Sequence, residues 1–481
     1  MAAAQSHGTI AVVTSVVIVG GGPGGYEAAL VGAQLGGQVT LIDRDGIGGA
    51  SVLTDCVPSK TLIATAELMS DIKGSGELGL RFGPDGDQNS RTAVRVDLGA
   101  VNQRVLGLAR QQSDDIAERL RREGVEIVVG SGRLDGPDRV LASTADGERS
   151  FDADVVLVST GAHPRVLPDA QPDGERILNW TQLYELSELP EKLIVIGSGV
   201  TGAEFASAYD ALGAEVVLVS SRDHVLPGED TDAAQVLEGV FGRRGMQVMA
   251  RSRAAAVSRD GDQVRVALTD GREVVGSHCL LAVGSIPNTD DLGLQTAGVA
   301  TDDRGFVTVD KVSRTTARGV YAAGDCTGVL MLASVAAMQG RIAMWHSLGD
   351  AVGPLDLASV SSNVFTAPEI ATVGVSQQQV DAGESTALSV MLPLRGNPRA
   401  KMQGIRDGFV KLFCLPVTGI IVGGVVVAPK ASELIFPISV AVAQRITVDQ
   451  LAQDFTVYPS LSGSISETAR RMHGHDQLRR T

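Results

Sequence analysis

The sequence predicts an α/β fold built around two Rossmann-like parallel-sheet units, an expectation carried by three observations. A glycine-rich turn follows a β-branched run twice, the two copies stay in register beyond the turn, and further apolar runs also end at glycine turns. The first copy, SVVIVGGGPGGYEAAL (15–30), aligns with KLIVIGSGVTGAEFAS (192–207), so that Gly20, Gly22, Gly25 and Glu27 meet Gly197, Gly199, Gly202 and Glu204. Downstream, Leu35-Gly36 meets Leu212-Gly213, and VTLID (39–43) meets VVLVS (216–220). Each copy therefore reads as strand, glycine turn, helix and second strand, the context that gives Gly-x-Gly-x-x-Gly its meaning as a dinucleotide site.

The glycines have separate tasks: the first makes the tight turn, the second lets the backbone approach a pyrophosphate, and the third permits close helix packing. Phosphates then sit on the helix N-terminus, where unsatisfied N–H groups and the helix dipole favour negative charge. Asp43 ends the second strand of the first copy and is suited to hold an adenosine ribose. Its partner in the second copy is Ser220, followed by Ser221 and Arg222. That turn has no carboxylate to repel a 2′-phosphate and has a cation close by, so NADPH is expected to be accepted as well as NADH.

Composition narrows the class. The chain has 481 residues, enough for two or three domains with buried cores. With 41 basic and 56 acidic residues its net charge is −15, which leaves no electrostatic footprint for nucleic acid or an anionic membrane. The apolar stretch IAVVTSVVIVGGG runs directly into the first glycine turn without a charged leader or cleavage site and reads as a strand. No segment offers the roughly 20 lipid-compatible residues of a transmembrane helix, and the expected location is the cytoplasm. Cys56, Cys279, Cys326 and Cys414 are too scattered for a zinc site and too few for a secreted disulfide framework, so no metal is expected.

Two different dinucleotide sites on one chain imply electron transfer between two carriers, with FAD and a nicotinamide as the natural pair. Three further segments fit. DVVLVSTGAHP (154–164) runs from a buried strand into the Thr160-Gly161 turn, and CLLAVGSIPN (279–288) runs into a turn at Gly284. GVYAAGDC (319–326) sets Asp325 just beyond an apolar strand, placed to bond a polyol such as the ribityl chain of a flavin.

These motifs, together with CVPSK (56–60), PEIATVGVS and ASELI, resemble the flavoprotein disulfide reductases, which include lipoamide dehydrogenase, glutathione reductase and mercuric reductase. The resemblance covers residues 14 to 470. It implies an FAD domain (14–160 and 285–355), an inserted NAD(P) domain (161–284), a C-terminal α+β dimerisation domain (356–470) and a homodimer. It also implies that Lys60 reaches the flavin and pairs there with Glu204, which lies on the helix opening the second nucleotide site; Lys60 and Cys56 are expected to project from one face of a helix that begins near Pro58. Cys56, four residues before Lys60, is then either a thiolate touching the flavin or a small packing residue.

Two departures from that family fall on one half-reaction. Members carry Cys-x-x-x-x-Cys before Pro-Ser-Lys, and here Ser51 stands at the first cysteine. A dithiol relay needs a second sulfur to resolve the mixed disulfide, so its loss abolishes the cycle. The family's C-terminal His-Pro-Thr-x-x-Glu reads YPSLSG, with Tyr458 for the histidine and Gly463 for the glutamate. His473 and His475 fall in a polar tail expected to be flexible. Without a disulfide, electrons must pass from the flavin directly to an acceptor that touches its ring. The chain resembles the lipoamide-dehydrogenase-like NAD(P)H:quinone reductases, which share both departures, and this resemblance supplies a quinone as the acceptor. Three alternatives stay open: a soluble pyridine nucleotide transhydrogenase, a single-cysteine peroxide or CoA-disulfide reductase, and a non-catalytic flavin-binding subunit.

Overall fold

The structure is a computed structural model and describes residues 13–80 and 94–473; His475 lies outside them. The chain divides into two compact units, one formed by residues up to Cys56, Ala109–His163 and Ile286–Leu355, the other by Val57–Leu108, Pro164–Ser285 and the chain from Asp356 onward.

In the first unit the strand Ser15–Val19 lies at the centre of a five-stranded sheet in the order Val320–Ala322, Val155–Val158, Ser15–Val19, Gln38–Asp43, Glu126–Val129. All neighbours are parallel, with Ser15 opposite Gln38 and Val19 opposite Ile42. Because strand side chains alternate, an uninterrupted Val/Ile run serves two cores. Val16 and Ile18 pack with Ala28, Leu30 and Met344 of the helices Pro23–Gln34 and Ala333–Ser347. Val17 and Val19 pack with Leu134, Val140 and Ala142 of an antiparallel three-stranded sheet over Ser131–Leu134, Arg139–Thr144 and Gly147–Asp152. Burial on both faces is what a parallel sheet requires.

The second unit repeats this plan. Its parallel sheet runs Gln247–Met249, Glu215–Val219, Lys192–Ile196, His278–Leu281, Ile177–Asn179. Leu193 and Val195 pack against Phe205 and Tyr209 of the helix Val200–Leu212. Ile194 and Ile196 pack against Val257, Val264 and Val266 of the antiparallel strands Ala254–Asp260, Gln263–Leu268 and Glu273–Gly276. The internal repeat is thus a repeat of structure, including the side layer that each sheet carries.

The same unit contains a five-stranded antiparallel sheet, ordered Ser361–Val364, Glu369–Gly374, Ile421–Ala428, Phe409–Cys414, Leu388–Pro393. One face packs Val410, Leu412 and Val426 under the helices Ala431–Ala443, Val448–Gln453 and Gly463–His473. The other turns Phe409, Phe413 and Val425 toward the core that holds Phe205 and Tyr209. Lys411 also lies on that inner face, where Asp230 at 2.8 Å and Asp232 neutralise its buried ammonium. Asp230 also caps the helix Thr231–Arg244 through the N–H groups of Asp232 and Ala233.

Two elements differ from what the sequence predicts. The helix that carries Lys60 starts at Cys56, not near Pro58, and runs to Gly74; Ser51 falls in a separate short helix, Gly49–Leu53. Pro58 lies within the first turn, where a missing N–H does no harm. His473 is not part of a loose tail: it ends the helix Gly463–His473, and its Nδ1 lies 2.6 Å from Asp449 Oδ1.

The glycine turns have a steric signature. A Cβ on Gly25 would overlap the carbonyl oxygen of Gly20, and one on Gly202 that of Gly197, whereas Gly22 and Gly199 face nothing within 4 Å. Gly202→Ala is therefore expected to cost several kcal/mol in chemical denaturation, and Gly199→Ala no more than about 1 kcal/mol. Equal losses in the two variants would contradict this division of roles.

Candidate functional site

The first unit holds one set of candidate residues. The helix Pro23–Gln34 begins at Gly22 with no side chain capping its N–H groups, and open space lies in front of that glycine. Uncapped helical N–H groups beside a position with room for a ligand fit a pyrophosphate. Asp43 organises the turn: its Oδ2 accepts from the N–H of Gly21 at 2.6 Å and its Oδ1 from those of Asp45 and Gly46 at 2.8 and 2.6 Å. Burial raises the Asp43 carboxyl above its usual value, and these three donors oppose that. The Thr160-Gly161 turn is stapled by Asn288, a residue not singled out from sequence. Thr160 Oγ1 donates to Asn288 O at 2.6 Å, and Asn288 Nδ2 returns a bond to Thr160 O at 2.8 Å. Gly161 takes φ +70° there.

Asp325 begins a short helical turn after Val320–Ala322, half-buried. Burial, reinforced by the neighbouring charge of Asp55, raises its carboxyl to about 6. No donor among the described residues opposes that shift. A half-buried carboxylate whose raised value no donor offsets fits a site that receives a donor from a ligand, such as a polyol hydroxyl.

The second unit holds the other set. The helix Val200–Leu212 begins at Gly199, again uncapped by any side chain and facing open space. Ser220 is fully buried: its Oγ lies 2.6 Å from Ser198 Oγ and accepts from the Arg222 N–H at 3.1 Å. Its hydroxyl therefore shapes the turn as the Asp43 carboxylate does in the first copy, and the exposed side chains are those of Ser221 and Arg222. Gly284, at φ +95°, meets nothing within 4 Å of a notional Cβ, and its carbonyl accepts from the Arg165 N–H at 2.9 Å.

Lys60 and Glu204, 144 positions apart, meet: Lys60 Nζ donates to Glu204 Oε2 at 2.9 Å. The lysine side chain is 30% exposed and the glutamate 4%. Glu204 Oε1 accepts from the backbone N–H of Phe365 at 2.9 Å, and the Phe365 ring centroid lies 4.9 Å from Lys60 Nζ, within cation–π range. Ser207, one turn along from Glu204, accepts from the Ala367 N–H at 3.2 Å. Phe365 carries no polar side chain and so gave no sequence signal; only the fold brings its amide and ring to this pair.

No disulfide joins any of the four cysteines. Cys279, Cys326 and Cys414 are buried, and burial pushes the thiols of Cys326 and Cys414 up to about 11, which makes them inert packing groups. Cys56 is half-buried at the first position of its helix, and the Ser51 hydroxyl donates to Gly48 O at 3.0 Å. Tyr458 is exposed, and Gly463 opens the helix that ends at His473. Among the described residues no helix is long and apolar enough to cross a membrane.

Comparison with known proteins agrees with this architecture. Residues 14–340 match the model of the pyridine nucleotide-disulphide oxidoreductases, and residues 360–469 match the dimerisation domain of that family. The chain belongs to this family. It is 56% identical over 476 residues to an NAD(P)H dehydrogenase (quinone) of Mycobacterium tuberculosis, covering 97% of this chain and 95% of the relative. It is 31% identical to a dihydrolipoyl dehydrogenase 2 of Haloarcula marismortui, covering 97% and 98%. The crystal structure of LpdA from Mycobacterium tuberculosis superposes with a TM-score of 0.90 at 55% identity, over 96% of this chain and all of that one.

The Asp325 carboxyl sets a pH test. Its folded value of about 6 exceeds the ordinary 3.8, so the folded chain keeps a proton that the unfolded chain has released, and stability falls as pH rises between the two. In FAD-free protein, Asp325→Asn should add about 3 kcal/mol at pH 8 and much less at pH 4. A Tm gain independent of pH would contradict the assignment.

Proposed function

We propose that the chain is an FAD-dependent NAD(P)H:quinone oxidoreductase that works without a dithiol relay. The observation that carries this is the intact Lys60–Glu204 ion pair in a chain whose Cys56 has Ser51, not a second cysteine, at the matching position. The Mycobacterium tuberculosis relative is an NAD(P)H dehydrogenase (quinone), which supports the acceptor class.

On this reading Gly20, Gly22, Gly25, Asp43, Thr160, Gly161 and Asp325 bind FAD, and Gly197, Gly199, Gly202, Ser221, Arg222 and Gly284 bind NADPH or NADH. Ser220 contributes by shaping the turn. The division into an FAD domain (14–160 and 285–355), an NAD(P) domain (161–284) and an interface domain (356–470) follows the same reading. So does a homodimer, in keeping with the dimerisation-domain match and with exposed Phe436, Val440, Phe455 and Val457 in that region. The proposed location is the cytoplasm.

Bound FAD supplies the two-electron carrier between nicotinamide and acceptor. Lys60 contributes a positive charge that stabilises negative charge developing at the reacting ring. Glu204 keeps that charge in place, and is itself held by the Phe365 N–H, so the lysine reorganises little during turnover. Ser51 stands where the resolving sulfur would be and Tyr458 where the family's histidine would be, so Cys56 takes no electrons as a disulfide.

An acceptor panel with NADPH tests this. Menadione and benzoquinones should turn over, and lipoamide, glutathione disulfide, peroxide and thio-NAD should not. Lys60→Ala should slow flavin reduction by roughly 10²-fold or loosen FAD, while Cys56→Ser should keep most quinone reduction. Loss of menadione reduction in folded, FAD-replete Cys56→Ser would overturn the mechanism in favour of sulfenic-acid chemistry.

A further inference from the structure

We propose that Arg251 is the second cation of the site that receives the 2′-phosphate of NADPH, with Asp223 as the internal counter-ion that the phosphate displaces. This rests on reading the second glycine turn as the nicotinamide-nucleotide site, and it adds the residues that set the choice between NADPH and NADH.

The segment Met249–Ser252 is laced along the Ser220–Arg222 turn. The Ser220 N–H donates to Met249 O at 2.9 Å, the Arg251 N–H to Arg222 O at 2.9 Å, and the Ser252 N–H to Ser220 O at 2.7 Å. Arg251 is thereby held beside Arg222, although nothing in the spacing of the sequence connects them. Ser252 anchors the segment from beneath: it is 1% exposed, and its Oγ accepts from Arg272 Nη2 at 2.6 Å. Arg251 itself sits at φ 52°, a backbone conformation unfavourable for a residue with a Cβ and easy for glycine. A residue kept in that conformation while its side chain points into solvent gains nothing from packing, and such outliers concentrate where a side chain has a task.

The charges are arranged for a phosphate. Among the described residues no carboxylate lies within ion-pair distance of the Arg222 guanidinium, whereas Arg251 Nε donates to Asp223 Oδ1 at 2.5 Å. That pair is 81% and 65% exposed, so it holds weakly and exchanges readily. A phosphomonoester carries about two negative charges near neutral pH and accepts planar, paired hydrogen bonds from guanidinium groups. It therefore outcompetes a single solvated carboxylate for Arg251 and gives Arg222 a partner. NADH, with a 2′-hydroxyl, leaves the Arg251–Asp223 pair undisturbed. Asp223 consequently tempers the preference, and the site takes both nucleotides with a bias to NADPH.

The test uses the FAD-loaded full chain and calorimetric titration with 2′,5′-ADP and with ADP, which differ in the phosphate on the ribose. Arg251→Gln should weaken 2′,5′-ADP about tenfold, the loss of one charge-assisted bond, and leave ADP within about twofold. Arg251→Gly removes the same charge while relaxing the backbone, so it keeps the test valid should the glutamine variant fold poorly. Asp223→Asn should tighten 2′,5′-ADP and leave ADP unchanged. A ratio of the two affinities unaltered in both Arg251 variants would overturn the proposal, while flavin reduction by NADH would still stand. Failure of the wild-type chain to bind either nucleotide would instead overturn the functional reading beneath it.

Discussion

A carboxylate taken out of water must find donors, and in this chain the side chain of Glu204 finds them in two segments far apart in sequence. It is 4% exposed, with one oxygen bonded to Lys60 and the other to the Phe365 N–H. Three elements are thereby committed to one another: the helix Cys56–Gly74, the helix Val200–Leu212 and the strand that ends at Val364. Removing either donor would leave a buried charge under-satisfied, which costs more than the pair contributes when intact. The same arrangement leaves Lys60 partly exposed, near the Phe365 ring and paired with a buried carboxylate that is bonded at both oxygens. A structural necessity and a fixed cation are here one object.

The two glycine-turn copies show how a duplicated plan can be put to different uses. At the position of Glu204 the first copy has Glu27, which pairs with Arg341 of the helix Ala333–Ser347 at 2.9 Å, so it too fastens its helix to a neighbour, though with more solvent contact. At the strand ends, the Asp43 carboxylate accepts from two backbone N–H groups of the following turn and the Ser220 hydroxyl from one. The carboxylate does this with a charge; the hydroxyl does it without one. Replacing the first by the second keeps the turn and changes the electrostatics outside it, which is what admission of a 2′-phosphate requires.

Sequence reading reached the two sheets and their glycine turns because each leaves a mark on residue type or spacing, and it reached the Lys60–Glu204 pair through the family resemblance. Runs such as SVVIV and KLIVI announce strands buried on both faces, and glycines at fixed intervals announce turns that a Cβ would block. It did not reach Phe365, whose contribution is a backbone amide and a ring, or Asn288, whose bonds to Thr160 span 128 positions. Arg251 was equally silent, because backbone bonds between loops carry no residue code. The tail around His473 misled for the opposite reason: its polarity suggested disorder, yet Ile465, Ala469 and Met472 give that helix a buried face.

The claim that one flavin without a dithiol carries the reaction is tested most directly by anaerobic reductive titration of FAD-loaded protein. The account predicts full bleaching of the flavin after two electrons per FAD, with no intermediate holding a reduced sulfur pair. Uptake of four electrons per FAD, two of them before the flavin bleaches, would show a second redox couple in the chain and contradict it.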